Sequence, residues 1–350
     1  MPISSPRGPS LAANAAIHLV TQKFVMGSPL SRQELKRQGI SLSRPTMSNW
    51  ILKASEGYLE PVYEQLLEVL HADESTLQVL HEPGKAPQSK SYMWLYRTSG
   101  DTDRPIVLYE YLPGSGAAHP KEFLEGFKGY LHTDGYTGYH NLPEEITVVG
   151  CWAHLRRKVD EVMKSLPKGK TKKSLAAQGE AFCSLLFKLE DGFVGMTPEE
   201  RYKERLKQSK PVLDALLSWA NDLKAKTAPK SALGKAVHYL LVQRPYLERY
   251  LEDGRLEQTN NRAERSMKPF VMGRKNWLFS NTPGGATSSA VIYSLAETAR
   301  ESGLDPYRYL RWVFETAPTL AAQGKDWAEM LVPAAAPIDC YVPGKKEEAI

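Results

Sequence analysis

Asp73, Asp134 and Glu264 stand far apart in the chain, yet each sits in a context that could bring it to a common site. Asp73 belongs to the short run Val69-Leu70-His71-Ala72-Asp73, read as a strand on which Asp73, His71 and Val69 share a face. Asp134 ends a second such run, Tyr130-Leu131-His132-Thr133-Asp134, just before Gly135. If the two strands are neighbours at the centre of a sheet, both carboxylates point from the same end of one face. Like charges held that close raise each other's pKa unless a cation lies between them. Mg²⁺ relieves the repulsion because it prefers carboxylate oxygens and keeps water in its remaining positions. Two such ions about 4 Å apart can activate a water or a 3′-hydroxyl and stabilise the leaving oxygen of an in-line phosphoryl displacement. A third carboxylate is then needed. Glu264 is the candidate, in the first turn of a helix that Asn260 or Asn261 can cap; Glu257, upstream of the caps, is its competitor. Each acid also has a plainer reading, since an Asp at a strand end is commonly a turn residue. The separations are permissive, so spacing alone leaves the chemistry open.

Around these acids lie cations suited to phosphate. Arg156, Arg157, Lys158, Lys164, Lys168, Lys170, Lys172 and Lys173 crowd residues 151–175 against only Asp160 and Glu161. Arg255, Arg262, Arg265, Lys268, Arg274 and Lys275 crowd residues 255–275 against Glu257 and Glu264. Such clusters suit a polyanion, although on charge alone a solvated face is the favoured explanation. His154, Arg156 and Arg157 would lie near the acids, and Arg262, Arg265 and Lys268 share the helix of Glu264. Arg274, Lys275, Asn276 and Trp277 combine cations, an amide and a large ring. Two readings of Trp277 stand, stacking on a splayed DNA end or packing into the core. Cys151 and His154 have a zinc-like spacing without a second ligand pair nearby, so Cys151 is read as a small buried residue. Tyr136 and Tyr139 are read as packing residues rather than nucleophiles.

The elements that must position these residues follow from periodicity. Residues 1–10 are Pro/Ser-rich and expected to be disordered, and residues 11–67 carry helical apolar spacing. Within that segment Gly39 separates two helices, either a helix-turn-helix or a plain packing hairpin. Residues 68–159 change period. Val69–Asp73, a second strand beginning in Thr76–Leu80, Ser91–Arg97, Pro105–Tyr111, Tyr130–Asp134 and Ile146–Gly150 read as strands, with a helix over Pro120–Lys128 and another from Ala153. Residues 160–252 read as an α-helical insertion. Residues 253–301 complete the core with helices over Asn260–Met272 and Ala286–Glu301. Residues 302–333 form a helical segment, with a helix over Pro306–Thr316, and 334–350 a tail. Meandering strands followed by alternating strands and helices predict an α/β fold, a mixed sheet with helices packed on it. That is the element order of the ribonuclease H-like fold.

Composition narrows the class. The chain of 350 residues, 42% hydrophobic and 24% charged, is long enough for two or three cores and has the make-up of a water-soluble protein. No stretch approaches the roughly 20 apolar residues of a membrane span, and the N-terminus lacks a signal-peptide layout, so a cytoplasmic location is expected. Three scattered cysteines exclude a disulfide framework.

Longer words make the reading specific. VLHADES, LHTDGYTGY, CWAHLRRKVDE at 151–161 and DGRLEQTNNRAERSMKPFVMGRKNWLF at 253–279 together resemble the IS66 family of insertion-sequence transposases. So do Gly284-Gly285 with the following AVIYSLAETAR, the segment SGLDPYRYLRWV, and SPLSRQEL with GISLSRPTMSNW nearer the N-terminus. The likeness runs in order over roughly residues 15–335. It implies a retroviral-integrase-like, ribonuclease H-like core with an α-helical insertion and flanking helices. It also implies a DDE site at Asp73, Asp134 and Glu264 holding two Mg²⁺ ions, with Mn²⁺ able to substitute. The activity implied is nicking of insertion-sequence ends and joining of the freed 3′-hydroxyl to target DNA. The implied partners are the DNA ends and target DNA, a homodimer or larger assembly on DNA, and accessory proteins of the element, at the bacterial nucleoid. Members of that family usually carry a cysteine-rich zinc-binding segment towards the N-terminus. This chain has no CxxC pair, so a copy lacking that segment is expected. The alternative is an inactive or domesticated derivative that binds DNA without cutting it. A two-carboxylate glycosidase would instead call for a sugar cleft and no basic belt.

Overall fold

Branched and aromatic side chains favour extended backbone, and the two stretches richest in them form strands as predicted and pair with each other. Lys90–Arg97 (β2) and Val107–Leu112 (β3) run antiparallel, with Trp94 opposite Glu110 and Tyr96 opposite Leu108. A computed structural model describes residues 11–30, 33, 44–59, 71–100, 102, 104–114, 116, 118–167, 174–323 and 327–343. Three further strands, His71–Gln78 (β1), Gly129–His132 (β4) and Ile146–Val149 (β5), complete a mixed five-stranded sheet ordered β3-β2-β1-β4-β5. β4 is parallel to β5, from Gly129 opposite Ile146 to His132 opposite Val149, and β1 is parallel to β4 with His71 opposite His132. Two strands were expected between Val69 and Leu80, but β1 is one strand running through Asp73-Glu74-Ser75-Thr76. Local propensity disfavours these polar residues, whereas a strand inside the sheet gains ladder bonds from its neighbours, and that tertiary pairing wins. Val69 and Leu70 lie outside the described residues.

The described residues fall into two compact units, one within Met1–Val69, Asp73–Gly116 and Ala263–Ile350, the other within Leu70–Ala72 and Ala117–Arg262. In the first unit, helices Leu11–Val20 (α1) and Arg44–Ala54 (α2) bury Ile17, Leu19, Val20 and Ile51. Phe24, in the π-turn after α1, meets Tyr293 edge to face at 5.3 Å. The described parts of this segment thus pack as core. The candidate turn at Gly39 lies outside the described residues.

Edge strand β3 would expose unpaired amides, a liability that the unit removes with a helix. The helix Pro283–Glu301, named α10 below, is buried along most of its length and rich in Ala and Ser, so its axis comes close to the strand. Tyr109 N donates to Ser294 Oγ at 2.7 Å, and Val107 N donates to Thr298 Oγ1 at 3.0 Å. The helix Pro306–Gln323, named α11, packs on α10 and α1. Beyond Ala334, where a tail was expected, Asp305 N donates to Cys340 O and Val342 N to Gly303 O, so residues up to 343 pack back onto this unit.

The second unit holds α3 (Ala118–Phe123), β4, β5 and the helical stretch that the sequence suggests is an insertion. Trp152, Leu155, Val159 and Val162 of α4 (Trp152–Ser165) recur at helical spacing and are all buried. They join α5 (Leu175–Gly192), α7 (Lys210–Lys224) and α8 (Ala232–Leu247) in one apolar core that includes Leu186, Leu213, Leu217, Leu240 and Leu247. The intervening α6 (Pro198–Glu204) opens with a full capping box, Thr197 and Glu200 exchanging bonds. The helix Asn261–Trp277, α9, follows, its first two residues in this unit and the rest in the first. Among the described residues no helix is long and apolar enough to cross a membrane.

Candidate active site

The parallel register of β1 and β4 sets two histidines face to face. The His71 and His132 rings stack with centroids 4.8 Å apart and planes 11° from parallel, and both are buried. Burial drives the His132 pKa well below its ordinary value, reinforced by the adjacent imidazole and by Arg205, so this ring stays neutral. Asp73 follows His71 by two residues on the same strand face. Asp134 likewise follows His132, just beyond β4, where Thr133 N still bonds Val149 O at 3.0 Å. Both aspartates are half-buried. Asp73 Oδ1 accepts from Glu74 N and Asp134 Oδ1 from Tyr136 N, each at 2.9 Å.

The turn after Asp134 needs its glycine. Gly135 has φ +93°, and a Cβ there would lie 3.1 Å from the Tyr239 hydroxyl and 3.3 Å from Gln243 Oε1. The insertion's helix α8 therefore presses on the loop that carries Asp134. Burial raises the Tyr239 pKa, with Cys151 and Asp134 adding to the rise, so this hydroxyl stays protonated.

Asn260 locks the start of β1 to the approach of α9. Its Nδ2 donates to Ala72 O at 2.7 Å, which fixes the amide and turns Oδ1 towards His71 Nδ1 at 2.9 Å. The His71 proton therefore sits on Nδ1. Asn260 N donates to Cys151 Sγ at 3.1 Å, and Cys151 is buried as expected. The expected cap is thus absent from the Asn260 side chain, which is spent on β1. Glu257, the competing third acid, accepts from Arg262 Nε at 2.5 Å and is occupied by that ion pair. Glu264 lies half-buried in the first turn of α9, where a carboxylate also complements the helix dipole. Asp73 and Glu264 belong to the first unit and Asp134 to the second.

The predicted DNA-contacting residues divide by what else they touch. Arg156 is held by the insertion, its Nε 3.3 Å from Glu180 and its guanidinium 4.9 Å from the Phe187 ring. A cleft lined by Arg156, Arg157, Asp160, Glu180, Phe187 and Asn261 opens there. His154 is half-buried and Arg157 exposed on α4. Arg274 donates to the Thr76 carbonyl and, at 3.1 Å, to Ser75 Oγ. Asn276 donates to Gly27 O at 2.9 Å. Trp277 packs edge-on against Phe270, centroids 5.7 Å apart, which favours its packing reading. Arg265, Lys268 and Lys275 are exposed on α9. Lys168, Lys170, Lys172 and Lys173 lie outside the described residues.

Two family models account for nearly all of the chain. The one described as Transposase IS66 family matches residues 7–288, and the IS66 C-terminal element matches residues 294–331. The chain belongs to the IS66 transposase family. Among relatives of this IS66 chain, an uncharacterised protein y4qI of Sinorhizobium fredii (strain NBRC 101917 / NGR234) is 35% identical over 330 residues, covering 88% of this chain and 59% of that protein. A second from the same organism, y4jD, is 32% identical over 323 residues, covering 86% and 61%. The chain thus spans about three-fifths of the length of the curated relatives it matches. A solved Drosophila P element transposase strand transfer complex is similar at 12% identity and TM-score 0.31, covering 92% of this chain and 94% of that one, too loose a superposition to argue from.

Several positioning residues of this IS66 chain escaped the sequence reading. His71-Ala72-Asp73 and His132-Thr133-Asp134 are the same His-x-Asp word twice, a signal for the paired strands that was available. Arg205 carried none. It is fully buried in the insertion, paired with Glu190 and donating to the carbonyls of Tyr250 (2.8 Å), Asp253 (3.0 Å) and Leu256 (2.8 Å). It thereby fixes the chain that descends from the insertion towards Asn260.

Proposed function

We propose that this chain is the catalytic segment of a DDE-type DNA transposase with a ribonuclease H-like core, which nicks insertion-sequence ends and joins the 3′-hydroxyl to target DNA. The observation that carries the reading is the register of two parallel strands, His71 opposite His132, with Asp73 and Asp134 at the same offset beyond. Family membership supports it independently. The donor chemistry fits a hard divalent cation, since all three acids offer carboxylate oxygens and Glu257, the rival, is paired with Arg262. Asp73, Asp134 and Glu264 would hold two Mg²⁺ ions, which when bound lower the pKa of the attacking hydroxyl and take up charge on the leaving oxygen.

The remaining work falls to the chain's own groups. The neutral His132 adds no positive charge beneath the acids, so it does not compete for them. Asn260 and the α8 side chains Tyr239 and Gln243 hold the two strand ends in place. Arg265, Lys268 and Lys275, exposed on α9, would bind phosphates, aided by His154, Arg156 and Arg157. Two DNA ends must be joined in one event, so a homodimer or larger assembly on DNA is part of the proposal.

The test is nicking of duplexes carrying the element's own termini, with Mg²⁺ or Mn²⁺ and with chelator. Asp73→Ala, Asp134→Asn and Glu264→Gln should each abolish nicking while far-UV circular dichroism and DNA affinity persist. Nicking that survives in folded Asp73→Ala protein overturns the reading.

A further inference from the structure

The segment after α9 exposes two large apolar side chains on a backbone that is held at both ends. Leu278 is 64% exposed and Phe279 41% exposed. Leu278 also has φ +68°, a left-handed conformation that costs any residue with a Cβ and that glycine adopts freely. The left-handed backbone at Leu278, next to two partly exposed apolar side chains, costs stability, and such strain gathers at functional positions.

The segment is not loose. On one side Leu278 N bonds Arg274 O at 2.7 Å, closing α9. On the other, Ser280 N bonds Gln78 O at 2.9 Å, Leu80 N bonds Ser280 O at 3.0 Å and His81 N bonds Asn281 O at 3.0 Å, bridging the segment to the end of β1. Arg274 reinforces the join through Thr76. The two side chains therefore stand on a short rigid tether between a helix and the strand that carries Asp73.

Charge decides the occupant. Arg265, Lys268, Met272 and Lys275 recur at helical spacing on the exposed face of α9 that leads to Leu278, and among the described residues none of the three cations has an ion-pair partner. A cationic stripe ending in two apolar side chains matches a duplex, whose phosphates line the stripe and whose base steps accept a wedge. A protein partner would more often meet a patch whose centre is depleted in lysine and other charges.

We infer that Leu278 and Phe279 form a wedge that enters a base step of bound duplex DNA and unstacks it. The inference rests on the transposase reading and adds where the duplex is distorted. Ser280 bridges to Val79, the residue just past the end of β1 and six residues from Asp73, or roughly 20 Å at strand rise. For a duplex lying along β1 that corresponds to about six base steps of B-DNA, which sets the distortion inside the duplex, away from the nicked phosphate.

The experiment uses the full chain and end duplexes with 2-aminopurine placed at one position at a time. Wild-type protein should raise the fluorescence at about six pairs from the nick. The Leu278→Gly/Phe279→Ala double variant should lose that rise and bind about tenfold more weakly, with an unchanged salt slope. Leu278→Gly alone should keep or raise the Tm, because it relieves the left-handed leucine. A fall in Tm would mean that the side chain packs within the protein and would overturn the wedge. So would wild-type protein that binds and nicks with flat fluorescence at every position, or apolar tips whose loss abolishes only self-association. Wild-type protein that neither binds nor nicks DNA would bring down the transposase reading itself, a distinguishable failure.

Discussion

The buried guanidinium of Arg97 on β2 donates to the Ser266 hydroxyl at 2.5 Å, two residues beyond Glu264 on α9. The same group reaches Glu301 at 2.9 Å and Thr98 O at 3.0 Å, while the Tyr109 hydroxyl donates to the Ser266 carbonyl. The first turns of α9 are thus gripped from two strands of the first unit. Arg97→Lys removes the planar fork that makes three directed bonds at once. We expect nicking kcat to fall by about tenfold to a hundredfold with little change in DNA KM, as for a displaced catalytic group. A lowered Tm with unchanged kcat would confine Arg97 to stability.

Asn260 satisfies two buried groups of the second unit with one amide. Asn260→Ala leaves the Ala72 carbonyl and the His71 ring N–H without that partner, so it should destabilise by about 2 kcal/mol or more. Urea unfolding measures this directly, and a change under about 0.5 kcal/mol would show that the site relaxes around the loss.

Arg205 is the largest buried charge of the insertion. Arg205→Met strands Glu190 and three carbonyls, and a cost of about 3–5 kcal/mol is expected. The Arg205→Met/Glu190→Met pair should recover part of that loss, because no uncompensated charge remains. Thermal unfolding of the two variants side by side is the check.

Arg274 and Lys275 are neighbours with opposite expectations. Arg274 spends its donors on Ser75 and Thr76, so Arg274→Ala should lower stability by about 1 kcal/mol and leave most of the salt dependence of DNA binding intact. Lys275 is exposed, and Lys275→Ala should leave stability unchanged while reducing the salt slope by about one. Affinity titrations over a range of salt concentrations separate the two.

Glu297 supplies a pH test of the first unit. Burial raises its pKa, against the opposing pull of Arg300. The folded state therefore binds this proton more tightly than the unfolded chain does. Stability contributed here is present below the ordinary glutamate value of 4.5 and is lost as pH rises through the raised folded value. Glu297→Gln should gain on wild type as pH rises through that window, and Tm measured across it decides the point. Parallel Tm curves for the two proteins would show that Glu297 does not titrate differently on folding.

The local chain determined much of this protein. Alternation and branched residues marked β2, β3, β4 and β5, and helical spacing with its breaks marked the insertion and the helices after it, because these signals act over a few residues. The family words around the acids were equally legible. Boundaries that depend on long-range partners were not. Propensity broke β1 in two, yet pairing within the sheet keeps it whole, and residues 334–343 pack back because Cys340 and Val342 find partners near Gly303 and Asp305. Only the tertiary structure decided which polar side chains serve the scaffold. Asn260 turned from helix cap to strand clamp, Glu257 was claimed by Arg262, Arg274 was drawn onto β1, and Leu278 was left strained in solvent. The reason is physical: periodicity records which face of an element is apolar, whereas a hydrogen bond between residues far apart in the chain depends on where both elements come to rest.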